Sequence, residues 1–579
     1  MKTINRYLIL ASIMLIPSVA GAQNMYDAIR FSQNEYFGTA RSMGMGNAMT
    51  AVGGDLGSIG INPAGSAVAN HGQFTITPGI TISSVSSSYN PTGAGSALGS
   101  PSKTTSSRMT MPNFGVSMRF DTGNSTGLKS FTIGLVGNRT NQYEYSASAS
   151  GMNSMSSQLA EFANAATGVP ENVLSSYEAY ENSDVSWDVL TAYMGGMFGS
   201  YGQPGRYVGV TEALGPDGAY HYVPGPLSQA SYVEESGSKT DFIMNLALNF
   251  SDKLYIGANI GTPFADYDYN ESFIETALDP MLFPIQYDGG DGNIYETQFS
   301  SANTGYQYIS RLDGIYAKLG VIYLPVKGLR IGAAIQTPTL YTVSERWQYS
   351  AATSFTDQYF NDEQSSPIGE YSYSMTSPYV FNIGMAYTFG VRGMFSLDYE
   401  LTDYSVMSIY DPSMEDSWDL AASDPFIDYN MTNKYFAGVS HSLRAGVEWR
   451  LTPEFSVRAG YNVTTDPERY WVNNMGENVT ADDYFAEFNE YYNHRKSLVS
   501  SQYYGDMTSS VSFGIGYSSP GSFFADFAVK KINYPDSEFS PYYDYDGFTA
   551  QGNPVFLESP KVTNKSSLLN MVLTLGWRF

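Results

Sequence analysis

The sequence predicts an all-β protein, a transmembrane antiparallel β-barrel of about 14 strands with a small N-terminal plug inside its lumen. Three observations carry this reading. The chain ends in Leu569, Met571, Leu573, Leu575, Trp577 and Phe579, with Asn570, Val572, Thr574, Gly576 and Arg578 between them. Strand side chains alternate between two faces, so one face of this segment is apolar and the other mostly polar or small. The same alternation recurs along a chain that opens with an export signal. The composition has 47 Tyr, 32 Phe and 56 Gly but only 15% charged residues, which suits strands with aromatic membrane belts better than long surface helices.

Residues 1–22 read as a signal peptide. Lys2 and Arg6 precede the apolar run Leu8 to Ile16, and Ala20-Gly21-Ala22 supplies the small residues of a cleavage site, with cleavage near Ala22. No later segment reaches the roughly 18 to 20 uninterrupted apolar residues of a transmembrane helix. The expected location is the cell outer membrane, and the absence of cysteine is compatible with an exported chain.

Residues 23–70 do not alternate. Gly38 to Asp55 is dense in Gly, Ala and Met, and Asn62-Pro63-Ala64-Gly65 follows. Small residues at this density let short helices and turns pack closely, as a plug requires. An Asn-Pro-small sequence also starts ordinary turns.

Residues 71–579 carry the barrel. Period-two segments include Phe114 to Phe120, Phe242 to Phe250, Leu254 to Ile260, Ile315 to Tyr323, Leu329 to Ile335, Phe381 to Phe389, Leu443 to Trp449, Val511 to Tyr517 and Phe523 to Val529. Weaker ones near Gln73, Ser130, Phe395 and Phe455 bring the total to about fourteen. Short links at 324–328 and 451–454 contrast with long connections at 151–230, 278–308, 354–370, 410–435, 469–500 and 538–564, the short-periplasmic, long-extracellular asymmetry of such barrels. Lys318, Arg330, Arg444, Glu448, Arg450, Asp526 and Lys530 fall in the polar phase. A cation on the lipid face costs about 2 to 4 kcal/mol at mid-membrane, so these charges are expected to point into the lumen.

The formal charge of −26, from 56 acidic and 30 basic residues, argues against a nucleic-acid partner. Catalysis finds little support. Of the four histidines, His71, His221, His441 and His494, only His441 has a tempting neighbour, Ser442, and adjacent strand residues face opposite sides. No cofactor motif is present. The acidic stretch Asp288 to Asn293 offers hard oxygen ligands for Ca²⁺ but lacks the length and terminal Glu of an EF-hand loop, so a solvated turn is expected and no metal is assigned.

The plug segment resembles the N-terminal hatch of the FadL/TodX family of outer-membrane channels for long-chain fatty acids and other hydrophobic compounds. The matching residues are Gly38-Thr39-Ala40-Arg41, Met43-Gly44-Met45-Gly46 and Asn62-Pro63-Ala64-Gly65, continuing through Lys318 to Tyr323, Leu329 to Gly332 and Thr337-Pro338 to the aromatic terminus. The chain departs from the family pattern at Asn47 and at Gly54-Asp55-Leu56-Gly57. The resemblance implies a fourteen-stranded barrel with Gly44, Gly46, Asn62, Pro63, Ala64 and Gly65 in a gating hatch. It implies passive uptake of a hydrophobic ligand such as a fatty acid, released laterally into outer-membrane lipid through an opening at an inward kink of the third strand, within Ser130 to Ser150. Biogenesis would use the outer-membrane barrel assembly machinery.

Two further sites follow. Gly134 and Gly137 could permit the kink, since glycine in a strand often marks a bend, although barrel glycines are common. In the connection after that strand, Leu159, Phe162, Trp187, Leu190, Met194, Met197 and Phe198 combine helical spacing with aromatic and sulfur contacts. They read either as a ligand-landing loop or as packing of that loop onto the barrel rim. The alternative overall function is a structural or adhesive barrel that binds a surface partner through acidic, Tyr-rich loops.

Overall fold

Alternating apolar and polar residues form strands because each can turn one face to lipid and the other to the interior. The computed structural model describes residues 25–579 apart from 94, 203, 217, 289–293, 413–425, 474–477, 480–497 and 504. The export signal, nearly all of the acidic stretch at 288–293 and His494 lie outside the described residues.

The barrel strands are β1 (Gln73–Asn90), β2 (Ser102–Asp121), β3 (Leu128–Gln142, resuming at Tyr145–Asn153), β4 (Leu227–Phe250), β5 (Leu254–Ala277), β6 (Ile294–Val326) and β7 (Leu329–Gln336, then Leu340–Phe355). They continue with β8 (Gly369–Thr376, then Val380–Thr388), β9 (Gly393–Asp403, then Ser408–Tyr410), β10 (Val439–Arg450), β11 (Phe455–Thr465), β12 (Met507–Ser518), β13 (Phe523–Asn533, then Ser537–Phe539) and β14 (Lys561–Arg578). Each strand pairs antiparallel with the next. β14 returns to β1, from Gln73 opposite Arg578 to Asn90 opposite Lys561, so the sheet closes at 14 strands.

Outward side chains such as Met244, Leu319, Phe513 and Ile515 remain more than half exposed, an apolar belt that water would disfavour and lipid accepts. At the short-turn end, Phe74 packs on Trp577, Phe120 stacks on Phe131 and Phe455 packs on Tyr517, forming an aromatic girdle of the membrane-interface kind. The terminus is tied down there: Gly72 and Phe579 exchange backbone hydrogen bonds at 2.9 and 3.0 Å.

Two expectations need correction. The connection expected at 278–308 is shorter, because β6 begins at Ile294 and pairs with Pro284–Asp288 as a hairpin beyond the membrane. β6 has 33 residues, whereas about 9 to 11 suffice to span a bilayer. Arg450 does not sit in the lumen but at the exposed end of β10; Lys318, Arg444, Glu448, Asp526 and Lys530 are buried inside as expected.

Candidate functional site: a filled lumen and an unpaired stretch of wall

Residues 25–72 lie within the short-turn half of the barrel. They form helix α1 (Met25–Ser32), helix α2 (Ala40–Gly44) and 3-10 turns at Leu56–Gly60 and Pro63–Val68. Thr39 caps α2, its side chain accepting from the Ser42 amide; Asp55 caps the first 3-10 turn through the Gly57 amide; and Asn62 caps the second through the Ala64 amide.

The wall is built to let this segment approach. Gly320 faces Asn62 and Pro63, Gly332 faces the Thr50 and Ala51 backbone, and Gly460 faces Met45 and Gly46, and a Cβ at any of them would overlap those atoms. Here glycine is used for close backbone approach. Polar wall groups then satisfy the segment's backbone, as burial demands. The amines of Lys239 and Lys318 donate to Phe31 O and Gly60 O at 2.7 and 2.8 Å, Arg330 donates to Val52 O at 2.6 Å, and Asp398 accepts from the Thr50 amide at 2.6 Å.

Asn62 joins the two layers. Its Nδ2 donates to Thr50 O at 2.7 Å and to the strand carbonyl of Val321 at 3.1 Å, while Oδ1 accepts from Ala64 N. Pro63, Ala64 and Gly65 are fully buried beside it, and Gly44 and Gly46 lie against β11 and β12. A buried ion network adds a second tie: Arg41 Nε meets Glu448 Oε2 at 2.8 Å, Arg458 Nε meets the same oxygen at 2.7 Å, and Arg458 reaches Asp526 at 2.6 Å. Burial lowers the basicity of the Arg41 guanidinium, but Glu448 outweighs it and the pKa stands above its ordinary value. Burial pushes the Asp55 carboxyl up, against the opposing pull of Arg41 and Thr39.

The wall itself is not continuous. The β2–β3 ladder runs from Asp121 opposite Ser130 to Asn113 opposite Asn138 and stops. The next residue of β2 is Pro112, which has no N–H to donate. Above this point β2 stays with β1, whereas β3 breaks at Tyr143 and Glu144 and turns inward, placing Ala147 with Val85 and Ala149 with Tyr89 of β1. The far end is closed by a bridge between Ala97 and Met152. The Arg108–Glu144 ion pair crosses the intervening window at 2.8 Å, and Met109 is exposed on its rim. Behind the window, the Arg139 and Thr140 carbonyls accept from the Phe37 and Glu35 amides of the N-terminal segment at 2.9 and 2.7 Å. A small cavity of about 10 Å³, bordered by Tyr36, Asn47, Gly60, Asn138 and Arg139, adjoins them.

Gly134 and Gly137 lie in regular ladder, opposite Ser117 and Phe114, and the break comes six residues beyond Gly137. The Phe114 ring covers Gly137 on the outer face. Sequence reasoning passed over Pro112, and a proline inside an otherwise strand-like run was the available signal.

Above the segment the lumen is lined by tyrosine. Tyr267, Tyr308, Tyr341 and Tyr373 join Phe31, Trp347 and Met375 in one buried cluster. Two of the hydroxyls converge on one carboxylate, since Tyr308 and Tyr373 donate to Glu345 at 2.5 and 2.6 Å. Over this chamber sits the connection after β3, containing helices α3 (Gln158–Ala165) and α4 (Trp187–Met194). Leu159, Phe162, Leu190, Met197 and Phe198 are buried in its own core against Phe299, Ala302 and Phe355 of the barrel extension. Each such side chain contributes about 1.5 to 3 kcal/mol by burial. Trp187 and Met194 are partly buried, and Trp187 meets Trp347 at 5.8 Å, linking cap to chamber. Burial pushes the Glu161 carboxyl of this cap well up, and Asp188 adds to the effect.

His71, His221 and His441 bond Asn70, Glu212 and Tyr399 respectively. His441 is exposed on the outer face and Ser442 faces in.

No family model matches the chain, and no curated protein matches it. Among solved structures it is similar to a FadL homologue of Pseudomonas aeruginosa (11% identity, TM-score 0.43, 95% of this chain and 98% of that one). It is also similar to the toluene transporter TodX of P. putida (11%, 0.42, 94% and 99%) and the monoaromatic hydrocarbon channel CymD (12%, 0.41, 94% and 99%). The assignment of the fold rests on the closed strand order described above.

Proposed function

We propose that this protein is an outer-membrane channel for passive uptake of hydrophobic small molecules, with long-chain fatty acids or similar compounds as the class to test first. The observation that carries the reading is the pairing of a plugged lumen with an unpaired stretch of wall. Against an open aqueous pore speak residues 25–72, whose Asn62, Glu35 and Phe37 bond directly to barrel strands. A hydrophobic ligand gains about 0.8 kcal/mol per CH₂ buried, so it leaves best into lipid. The window between Asn138 and Met152 is where β3 has parted from β2, and it supports lateral release.

In this reading residues 23–70 are the hatch, and a ligand descends past the lumenal tyrosines toward Arg139, where the small cavity must widen to admit it. Movement of Glu35 to Phe37 away from β3 then opens the window. The exposed Phe579 beside the girdle suits recognition by the barrel assembly machinery. The test is uptake of a labelled long-chain fatty acid, and of the uncharged alcohol of the same length, by cells carrying or lacking the protein. Selective loss of hydrophobic uptake, with a small sugar unaffected, supports the channel; equal loss of the sugar contradicts it.

A further inference from the structure

The upper chamber has a charge character that a hydrophobic lining does not require. By strand phase Glu235 of β4, Tyr269 and Glu271 of β5, Tyr306 of β6, Tyr349 of β7 and Tyr371 of β8 all face inward, yet all remain half-buried. The four tyrosines pack against the buried cluster while keeping part of their surface accessible, and Tyr306 and Tyr349 meet at 4.7 Å between ring centroids. The Tyr306 hydroxyl lies within electrostatic reach of Asp27, Glu271 and Glu345, and the Tyr267 hydroxyl within reach of Glu235 and Asp27. Acids and aromatic faces thus share one space.

The group that reaches into it from the N-terminal segment is a cation. Arg30 of α1 lies 4.6 Å above the Tyr267 ring and pairs with Asp27 at 2.5 Å. A guanidinium over an aromatic face beside carboxylates is the arrangement by which proteins hold organic cations. Two buried polar groups nearby are left over. The Tyr267 hydroxyl lies beside Glu235 but makes no hydrogen bond of normal geometry, and neither amide atom of Asn433 bonds a described residue. Asn433 is fully buried on helix α5 (Ile427–Phe436), which contributes Phe436 to the same cluster. Buried polar atoms without protein partners call for water or a ligand to supply them.

We propose that the tyrosine-lined chamber binds an organic cation, a hydrophobic amine or quaternary ammonium compound, and that Arg30 occupies the site as an internal stand-in until such a ligand displaces it. The proposal deepens the channel reading and rests on it. Ring faces and carboxylates attract the cationic head, and the surrounding Phe31, Trp347 and Met375 receive its apolar body. The same acids favour a neutral or cationic head over a carboxylate, so among the compounds the channel would take, an ionised fatty acid is the weakest ligand for this site. Displacement of Arg30 loosens α1, the element that leads into the residues behind the window.

The experiment uses the full barrel in nanodiscs and three aromatic probes of matched shape: a phenylalkyl trimethylammonium ion, its uncharged tert-butyl isostere and the corresponding phenylalkanoate. Binding is read from tryptophan fluorescence, with Trp347 and Trp187 as neighbours of the site. The cation is expected to bind about tenfold more tightly than the isostere, with the carboxylate weakest. Arg30→Ala should tighten the cation several-fold, and the isosteric Glu345→Gln should weaken the cation while leaving the uncharged probe unchanged. Equal binding of all three probes overturns the charge preference while leaving the hydrophobic channel standing. Carboxylate binding at least as tight as the cation's, no binding of any probe, or an Arg30→Ala variant with unchanged cation affinity also overturns the proposal. Uptake of the neutral compound in cells judges the channel reading separately.

Discussion

The Phe37 amide donates to the Arg139 carbonyl at 2.9 Å, one residue past the point where Pro112 ends the ladder between β2 and β3. A strand that has lost its neighbour in a membrane wall must find partners elsewhere, because an unpaired backbone group in lipid costs several kcal/mol. Here the N-terminal segment supplies them. The N-terminal segment and the wall are therefore joined by backbone hydrogen bonds at this point.

Cross-linking the window should stop release without harming the barrel. The chain has no cysteine, so a double variant with Arg108→Cys and Glu144→Cys, joined by a short bis-maleimide, places a single bridge across it. Uptake of the hydrophobic compound should fall to the level of cells lacking the protein, while the unlinked double variant retains it. Undiminished uptake after linkage would sink lateral release.

Asn62→Ala removes a cap and the side-chain donor to Thr50 and Val321. Leaving those buried groups unpaired costs about 1 to 3 kcal/mol, borne by the docking of the plug rather than by the ladder. The variant should insert normally and show raised single-channel conductance in a planar bilayer. Gly320→Ala, whose methyl would overlap Asn62, should act in the same direction. A conductance unchanged in both would mean that the segment does not obstruct the lumen.

Glu448→Ala strands the Arg41 guanidinium in the interior and leaves Arg458 with Asp526 alone. Breaking such a buried pair costs about 3 to 5 kcal/mol, and the loss should appear as a lower temperature for the gel-mobility shift that marks barrel unfolding. Glu448→Gln, which keeps shape and acceptor oxygen, should lose less. An unshifted temperature for both would show that the network adds nothing to stability.

Asp27 links pH to the docking of α1. Burial raises its carboxyl from 3.8 to about 6, opposed by Arg30 and reinforced by Glu235. A raised carboxyl means that the docked helix holds a proton between about pH 4 and 6 that the undocked helix has released. The charged form therefore weakens docking above pH 6, and the weakening disappears as pH falls. Hydrogen exchange of residues 25–32, corrected for intrinsic rates, should slow between pH 7 and 5, with a limit on the order of 2 to 3 kcal/mol. Asp27→Asn should abolish the dependence; a profile that survives this substitution assigns it elsewhere.

The strands were legible because period-two alternation is local. Phe242 to Phe250 and Leu569 to Phe579 could be read from their own residues, and the closure of 14 strands agrees with the number so reached. The density of small residues at Gly38 to Gly65 announced close packing but not its partners. Lys239, Lys318 and Arg330 are matched to particular carbonyls across 208 to 278 positions of chain, and no local pattern encodes that pairing. The cap residues show the other limit. The spacing of Leu159 and Phe162 identified an amphipathic helix but not what covers it, and the covering surface came from Phe299 and Ala302, far away in sequence. Pro112 was visible throughout, and only the topology gives it meaning.

The most direct test of the central claim is uptake of a labelled, uncharged long-chain compound by cells carrying the protein, carrying the cross-linked window or lacking the protein, with a small sugar as control. The account predicts rapid uptake only in the first case and no difference for the sugar. Uptake independent of the protein, or sugar uptake that rises and falls with it, would contradict a plugged, side-opening channel.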